Sequence, residues 1–282
     1  MSLAFTLRTT PTVPLEAEVL SPARLAGLSA REALKLTIVY GNQRADLGDF
    51  FEAGGGSADA ALELTGDLAR VKRIGAGMAE GRIVVHGSAG MHLGANMTGG
   101  EIVVEGDAGD WVGPEMAGGR IVVKGNAGHL VGGAPRGSAI GMRGGEIIVF
   151  GNVGNEVGNG MRRGLIAVGG DTGDFAGVNM VAGTIVAVGH LGWRPGAGLR
   201  RGSIVSMQPA ELLPTFSYDC TYAPLFLGLY LRHVRSVGLP VTDSQLNGQY
   251  QRWSGDGVEL NRGEVLLFQA APAPAPTPST EG

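Results

Sequence analysis

The chain has 282 residues, 44% hydrophobic and 17% charged, a balance that fits a folded protein and excludes general disorder. Its 22 Lys and Arg against 26 Asp and Glu include no basic run able to track a phosphate backbone, so nucleic acid is not an expected partner. A single cysteine, Cys220, excludes an internal disulfide and a multi-cysteine metal site and suits a reducing cytoplasm.

The opening MSLAFTLRTTPTVPLEAEVL has no basic start and no continuous apolar core, and no run of about 18 apolar residues follows, so neither a secretory signal nor a membrane span is expected. In SPARLAG, Ser21 reads as a helix cap with Pro22 at the first helical position, and Ser29 to Glu32 (SARE) reads as a capping box. LTIVYGNQRADLGDFFEAGG then predicts a strand, a turn at Gly41-Asn42 and an apolar tail. Residues 1–60 are assigned to a small α/β cap.

The middle of the chain is dominated by glycine, 50 residues in all, well over twice the roughly 7% average. The pattern G-x-x-G-x-x-x-G occurs six times. Its units are Gly87, Gly90 and Gly94; Gly106, Gly109 and Gly113; Gly125, Gly128 and Gly132; Gly151, Gly154 and Gly158; Gly170, Gly173 and Gly177; and Gly189, Gly192 and Gly196. Four of the five steps are 19 residues; the fifth is 26 because GAPRGSA enlarges one loop. Each unit also carries a Gly, then Met or Leu, then Gly, followed by a β-branched run such as Ile83-Val84-Val85 or Ile102-Val103-Val104.

Nineteen residues are too few for a strand, a crossover helix and a return, which need about 30. The expected fold is therefore all-β: a right-handed parallel β-helix of about seven coils over residues 61–206, roughly 30 Å long at about 4.8 Å per coil. Met78, Met97, Met116, Met142, Met161, Met180 and Leu199 should form one inward stack, and Leu93, Val112, Val131, Val157 and Ala176 another. The repeat glycines are expected at corners that need positive φ, a reading under which Gly109→Val loses stability through its backbone conformation. Ser88, Asp107, Asn126, Asn152, Asp171 and His190, each after the first glycine, should form a polar corner ladder. Met91, Asp110, His129, Asn155, Asp174 and Trp193 read as exposed, variable positions.

No catalytic constellation emerges. GAGMAEG, GNGMRRG and GAGLRRG have the wrong spacing for a dinucleotide fingerprint and lead into strands, and no G-x-x-x-x-G-K-[ST] occurs. His86, His92, His129, His190 and His233 form no paired metal motif, no G-x-S-x-G elbow is present, and Cys220 reads as a small buried hydrophobe. Catalytic, cofactor-binding and metal-ligating residues are thus expected to be none. Aromatic side chains on a coil surface suggest contacts, with Trp111, Trp193, Tyr218 and Tyr222 the expected interface residues; a flanking loop of the same chain would account for Trp111, Phe175 and Trp193 as well.

After the repeats, PLFLGLYLRHVRSVGLP places Leu227, Tyr230, Leu231, Val234 and Val237 on one face of a helix ended by Gly238 and Pro240. Residues 207–269 are assigned to a capping and docking extension, and 270–282, rich in Pro and Ala, to a disordered tail.

The six repeat units resemble the β-helical domain shared by the glutamate synthase large subunit and the C subunit of formylmethanofuran dehydrogenase. The stretch SPARLAGLSAREALKLTIVYGNQRADLGDFFE is similar to what precedes the repeats in the latter, and LLPTFSYDCTYAPLFLGLYLRHVRSVGLPV with YQRWSGDGVELNRGEVLLF resembles the extension found in the bacterial formyltransferase/hydrolase relatives. The resemblance implies a non-catalytic cytoplasmic scaffold within a hetero-oligomer. Its implied partners are a formyltransferase subunit, an amidohydrolase-like subunit holding a metal, and a further dehydrogenase-related subunit. It also implies a complex that moves a formyl group from tetrahydromethanopterin to a methanofuran-like carrier and releases formate in one-carbon oxidation. The alternatives are a subunit of a true dehydrogenase and a glutamate-synthase-like domain.

Overall fold

The structure, a computed structural model, describes residues 3–55 and 61–270. All of the expected Pro/Ala tail except Ala270 lies outside the described residues. In chain order the elements are β1 (Leu3–Leu7), β2 (Leu15–Glu16), α1 (Pro22–Leu25), α2 (Ala30–Ala33), β3 (Thr37–Tyr40), β4 (Gln43–Asp46), β5 (Phe51–Gly55), β6 (Ala61–Thr65) and β7 (Val71–Lys72). There follow β8 (Arg82–His86), β9 (Glu101–Val104), β10 (Arg120–Val123), β11 (Glu146–Val149), β12 (Leu165–Val168), β13 (Thr184–Ala187) and β14 (Arg201–Ser206). The last elements are β15 (Ser217–Tyr222), α3 (Leu227–Val237), α4 (Asp243–Asn247), β16 (Gln249–Gly255) and β17 (Arg262–Gln269). The fold is all-β with a few short helices.

The seven strands β8 to β14 are the seven β-branched runs, and they pair in parallel, each with the strand of the next unit. The register joins Ile83, Ile102, Ile121, Ile147, Ile166, Ile185 and Ile204 into one line of fully buried side chains. A second parallel ladder links Leu68, Ala89, Ala108, Ala127, Val153 and Thr172 on another side of each unit. Both expected inward stacks lie in this core, none of their members more than 1% exposed. The methionine stack accounts for the glycine three residues on: a Cβ at Gly119 would lie 2.7 Å from the Cε of Met97, so each methyl occupies the space that the next unit's glycine leaves open.

The glycines of the repeat divide by cause, and the expectation of one cause for all of them is corrected. The third of each unit sits at a positive-φ corner as expected: Gly94, Gly113, Gly132, Gly158, Gly177 and Gly196 have φ between 62 and 74°. The second does not: Gly90, Gly109, Gly128, Gly154, Gly173 and Gly192 all lie outside the positive-φ region. Their requirement is close approach between units. A Cβ at Gly109 would stand 2.9 Å from the amide nitrogen of Met91, one at Gly154 2.9 Å from that of His129, and one at Gly173 2.7 Å from that of Asn155. Gly109 is therefore held to glycine by clearance and not by its backbone conformation. Of the first glycines only Gly87 has positive φ; Gly106, Gly125, Gly151, Gly170 and Gly189 instead rest against the first glycine of the unit before, where a Cβ would collide with its carbonyl.

Positive φ is also shared by side-chain-bearing residues two positions after the second glycine, His92, Trp111, Leu130, Glu156, Phe175 and Arg194, with φ of 54 to 62°. In the first five of them the amide reaches the next unit from that conformation: Trp111 N–H donates to the His129 carbonyl at 2.8 Å and Phe175 N–H to that of Trp193 at 2.8 Å.

The ends are closed by added strands. At the N-terminal end β6 pairs with β8, β1 pairs with β6, and β5 finishes the sheet antiparallel. The capping box at Ser29 and Glu32 is present, whereas Ser21 makes no side-chain cap to α1. The stretch expected to form an apolar tail contains two strands, β4 returning on β3 and β5 pairing with β1. At the far end β17 pairs in parallel with β14, Arg201 beside Arg262 and Gly202 beside Gly263, with β16 and β15 following antiparallel. The extension thus supplies a further repeat-like strand.

Helix α3 packs on the outer face of the later strands. Leu227, Leu231 and Val234 form a second core with Ile148, Leu165, Ala167, Val186 and Val205. Tyr230, expected on that buried face, is 36% exposed at its margin, and Cys220, expected to be buried, is exposed on β15. β15 is the outermost strand, so its side chains lack a covering layer.

Candidate functional site

A groove of about 1020 Å³ runs across the starts of β9 to β13 beneath α3. Its floor is glycine, one from each unit (Gly100, Gly119, Gly145, Gly164 and Gly183), and its wall is Leu229, Tyr230 and His233 of α3. The floor is smooth because each glycine sits at positive φ over the preceding methionine methyl.

A charge ladder edges the groove. The residue before each of the first four repeat isoleucines alternates in sign, and the register sets Arg82 beside Glu101, Glu101 beside Arg120 and Arg120 beside Glu146. Arg82 Nε lies 3.1 Å from Glu101, and Arg120 Nε pairs with Glu146. The hydrogen bond to Glu146 raises the Arg120 pKa, keeping the guanidinium charged. His233 closes the ladder from α3, its Nε2 2.6 Å from Glu146. That contact ties helix to sheet. The ladder is legible as the alternation RIVV, EIVV, RIVV, EIIV, a signal that a search on glycine spacing passes over.

Two polar ladders run along another corner. In the expected one, each side chain accepts from the backbone N–H of its counterpart in the next unit: Asp107 from Asn126 at 2.7 Å, Asn126 from Asn152 at 2.9 Å, Asn152 from Asp171 at 2.8 Å and Asp171 from His190 at 2.7 Å. Accepting from His190 N–H lowers the Asp171 pKa. The second ladder uses the positions read as variable. Asp110 accepts from His129 N–H, His129 Nδ1 from Asn155 N–H, Asn155 from Asp174 N–H and Asp174 from Trp193 N–H. Acceptors of different kinds fill one role, which hid the ladder from sequence comparison.

The expected interface residues do not converge. Trp111 stacks on His92, ring centroids 5.2 Å apart and 4° from parallel, and its Nε1 reaches the Ala134 carbonyl in the inserted GAPRGSA loop. A loop of the same chain thus touches one edge of Trp111. Trp193 is 71% exposed beside Leu212 and Leu213. Tyr218 is exposed, edge-on to Trp253, whereas burial raises the pKa of the half-buried Tyr222. Among the described residues no three His, Cys, Asp or Glu side chains gather as a metal site would require, and no helix is long and apolar enough to cross a membrane.

A GXGXG motif family model matches residues 63–215, more than half of the chain. The chain is 41% identical over 85 residues to the C subunit of the molybdenum-containing formylmethanofuran dehydrogenase 1 of Methanosarcina barkeri. It is 44% identical over 87 residues to the C subunit of the tungsten-containing formylmethanofuran dehydrogenase 2 of Methanothermobacter marburgensis. Each alignment takes in 29% of this chain and spans only 28% and 32% of those relatives. A chain of the formyltransferase/hydrolase complex of Methylorubrum extorquens, solved by X-ray crystallography in complex with methylofuran, matches with a TM-score of 0.88 and 35% identity over 95% of this chain and 100% of that one.

Proposed function

The chain belongs to the GXGXG motif family, and from that premise we propose that it is the non-catalytic scaffold subunit of a formyltransferase/hydrolase complex. Its core in this reading is a right-handed parallel β-helix over 61–206, closed by 1–60 and 207–269 and followed by the tail 270–282. The complex moves a formyl group from formyl-tetrahydromethanopterin to a methanofuran-like carrier and releases formate in the cytoplasm. The carrier, the pterin and the hydrolytic metal belong to partner chains: a formyltransferase, an amidohydrolase-like subunit and a further dehydrogenase-related subunit. The repeat glycines are structural here, and Trp111, Trp193, Tyr218 and Tyr222 are partner contacts, with Trp193 foremost because it is most exposed.

One observation carries the reading: the likeness to a chain of such a complex extends through 95% of this chain rather than the repeats alone. The local matches to dehydrogenase subunits favour a second reading, a C subunit that serves a molybdenum- or tungsten-dependent enzyme. Both are tested by assaying formyl transfer and formate release with the purified chain and with the complex it forms. The proposal expects no turnover by the chain alone and both reactions in the complex. Intrinsic turnover would sink the scaffold role, and formyl oxidation or reduction by a metal–pterin partner would favour the second reading.

A further inference from the structure

We infer that the groove beneath α3, which the unpaired Arg163 lines, docks an acidic, apolar-anchored segment of a partner subunit. The inference rests on the hetero-oligomer reading above and adds where one partner binds and by what chemistry.

The arginines of the repeats and the extension divide by pairing. Arg82, Arg120, Arg200 and Arg252 are each paired with a glutamate. Arg143, Arg162, Arg163, Arg201 and Arg262 are exposed and make no ion pair among the described residues. Arg143 and Arg162 hold the same repeat position in successive units, each directly after the buried methionine, so they lie about one strand spacing apart. Arg163 itself lines the groove. Arg201 and Arg262 are register partners on β14 and β17, so two like charges face each other across adjacent strands. Such an arrangement costs free energy in the isolated chain and is offset by an anionic partner. In a chain of formal net charge −4 these cations are a local feature, not a consequence of composition.

The helix supplies the apolar half. Leu229 is 69% exposed and Tyr230 36% exposed, both lining the groove, while the opposite face of α3 is buried. Leu229 and Tyr230 facing the unpaired Arg163 over a smooth glycine floor fit a segment that sets an apolar residue against Leu229 and carboxylates toward Arg163 and the neighbouring Arg162. A second copy of this chain fits less well, since it would bring the same arginines.

The test places a photo-reactive phenylalanine analogue at position 229 of the full chain, isolates the complex from its own cell after irradiation, and identifies the joined peptide by mass spectrometry. In parallel, the paired reversals Arg162→Glu and Arg163→Glu are compared with Arg44→Glu, remote on β4, for association with the co-purifying subunits, and each variant's melting temperature confirms folding. The expected result is a crosslink to a partner-subunit peptide in which Asp and Glu outnumber Lys and Arg. The paired reversal should weaken association by about tenfold or more at physiological salt while Arg44→Glu leaves it unchanged. A crosslink to a second copy or to a neutral or basic peptide overturns the inference, as does a complex that assembles unaffected by the reversals. Assembly without contact at 229 sinks the docking site alone, whereas a chain that assembles with nothing takes the scaffold reading down too.

Discussion

At the scale of the residue, glycine is required here for two different reasons, and they predict different things. Gly109 is constrained by a neighbouring backbone 2.9 Å from where its Cβ would stand, so Gly109→Val should cost more than about 2 kcal/mol in denaturant unfolding. Gly54 has nothing within 4 Å among the described residues and no positive φ, and Gly54→Ala should stay within about 0.5 kcal/mol of wild type. Equal losses at the two sites would refute the steric account. His86 makes a pH prediction. Hydrogen bonds to Glu105 and Glu63 raise its pKa above the ordinary 6.5. The folded state thus holds the proton more tightly than the unfolded chain, so the stabilisation is full below about pH 6.5 and fades as pH rises through the raised value. The gap between wild type and His86→Gln should be widest in acid and close toward alkaline pH; a gap widening with pH would reverse the assignment. The difference between second and third glycines was illegible in the sequence, which shows where glycine stands but not whether conformation or clearance demands it.

At the scale of the element, strands and stacks were legible because their period is written in the residues, and 19-residue spacing left no room for a helix. Less legible was anything whose partners change identity. The second polar ladder mixes Asp, His and Asn as acceptors for one backbone N–H, so type-by-type comparison read it as variation. Asn155→Ala removes the acceptor for Asp174 N–H at an exposed site where water can substitute, and should cost about 0.5–1.5 kcal/mol, with Asn155→Asp recovering most of it. β17 was missed for a related reason: it shares the Arg-Gly opening and apolar run of β14 but lacks the glycine triplet by which units were recognised. Helix α3 is held chiefly by its buried face. Leu231→Ala should cost about 2–4 kcal/mol, and Glu146→Gln, which loosens the ties to Arg120 and to a half-buried His233, should cost the helix itself under about 1 kcal/mol. Amide exchange across α3 would compare the two; a larger effect from Glu146→Gln would mean that charge rather than packing holds the helix.

At the scale of the whole molecule, the central units are bonded one to the next through a strand ladder, a bridge ladder and two polar ladders, and the stack is finished at each end by antiparallel strands that do not continue it. Such a body presents fixed surfaces along its length, as the proposed scaffold role requires. The groove and its arginines were poorly legible in advance, because a concavity formed by five units and a helix over 40 residues away from the nearest of them has no local signature. The most direct measurement is to isolate the tagged full chain from its own cell under mild conditions and determine the native mass and identity of what accompanies it. The account predicts a defined hetero-oligomer in which a formyltransferase and an amidohydrolase-like chain co-elute with this one. Elution of the chain alone, or only with copies of itself, would contradict it.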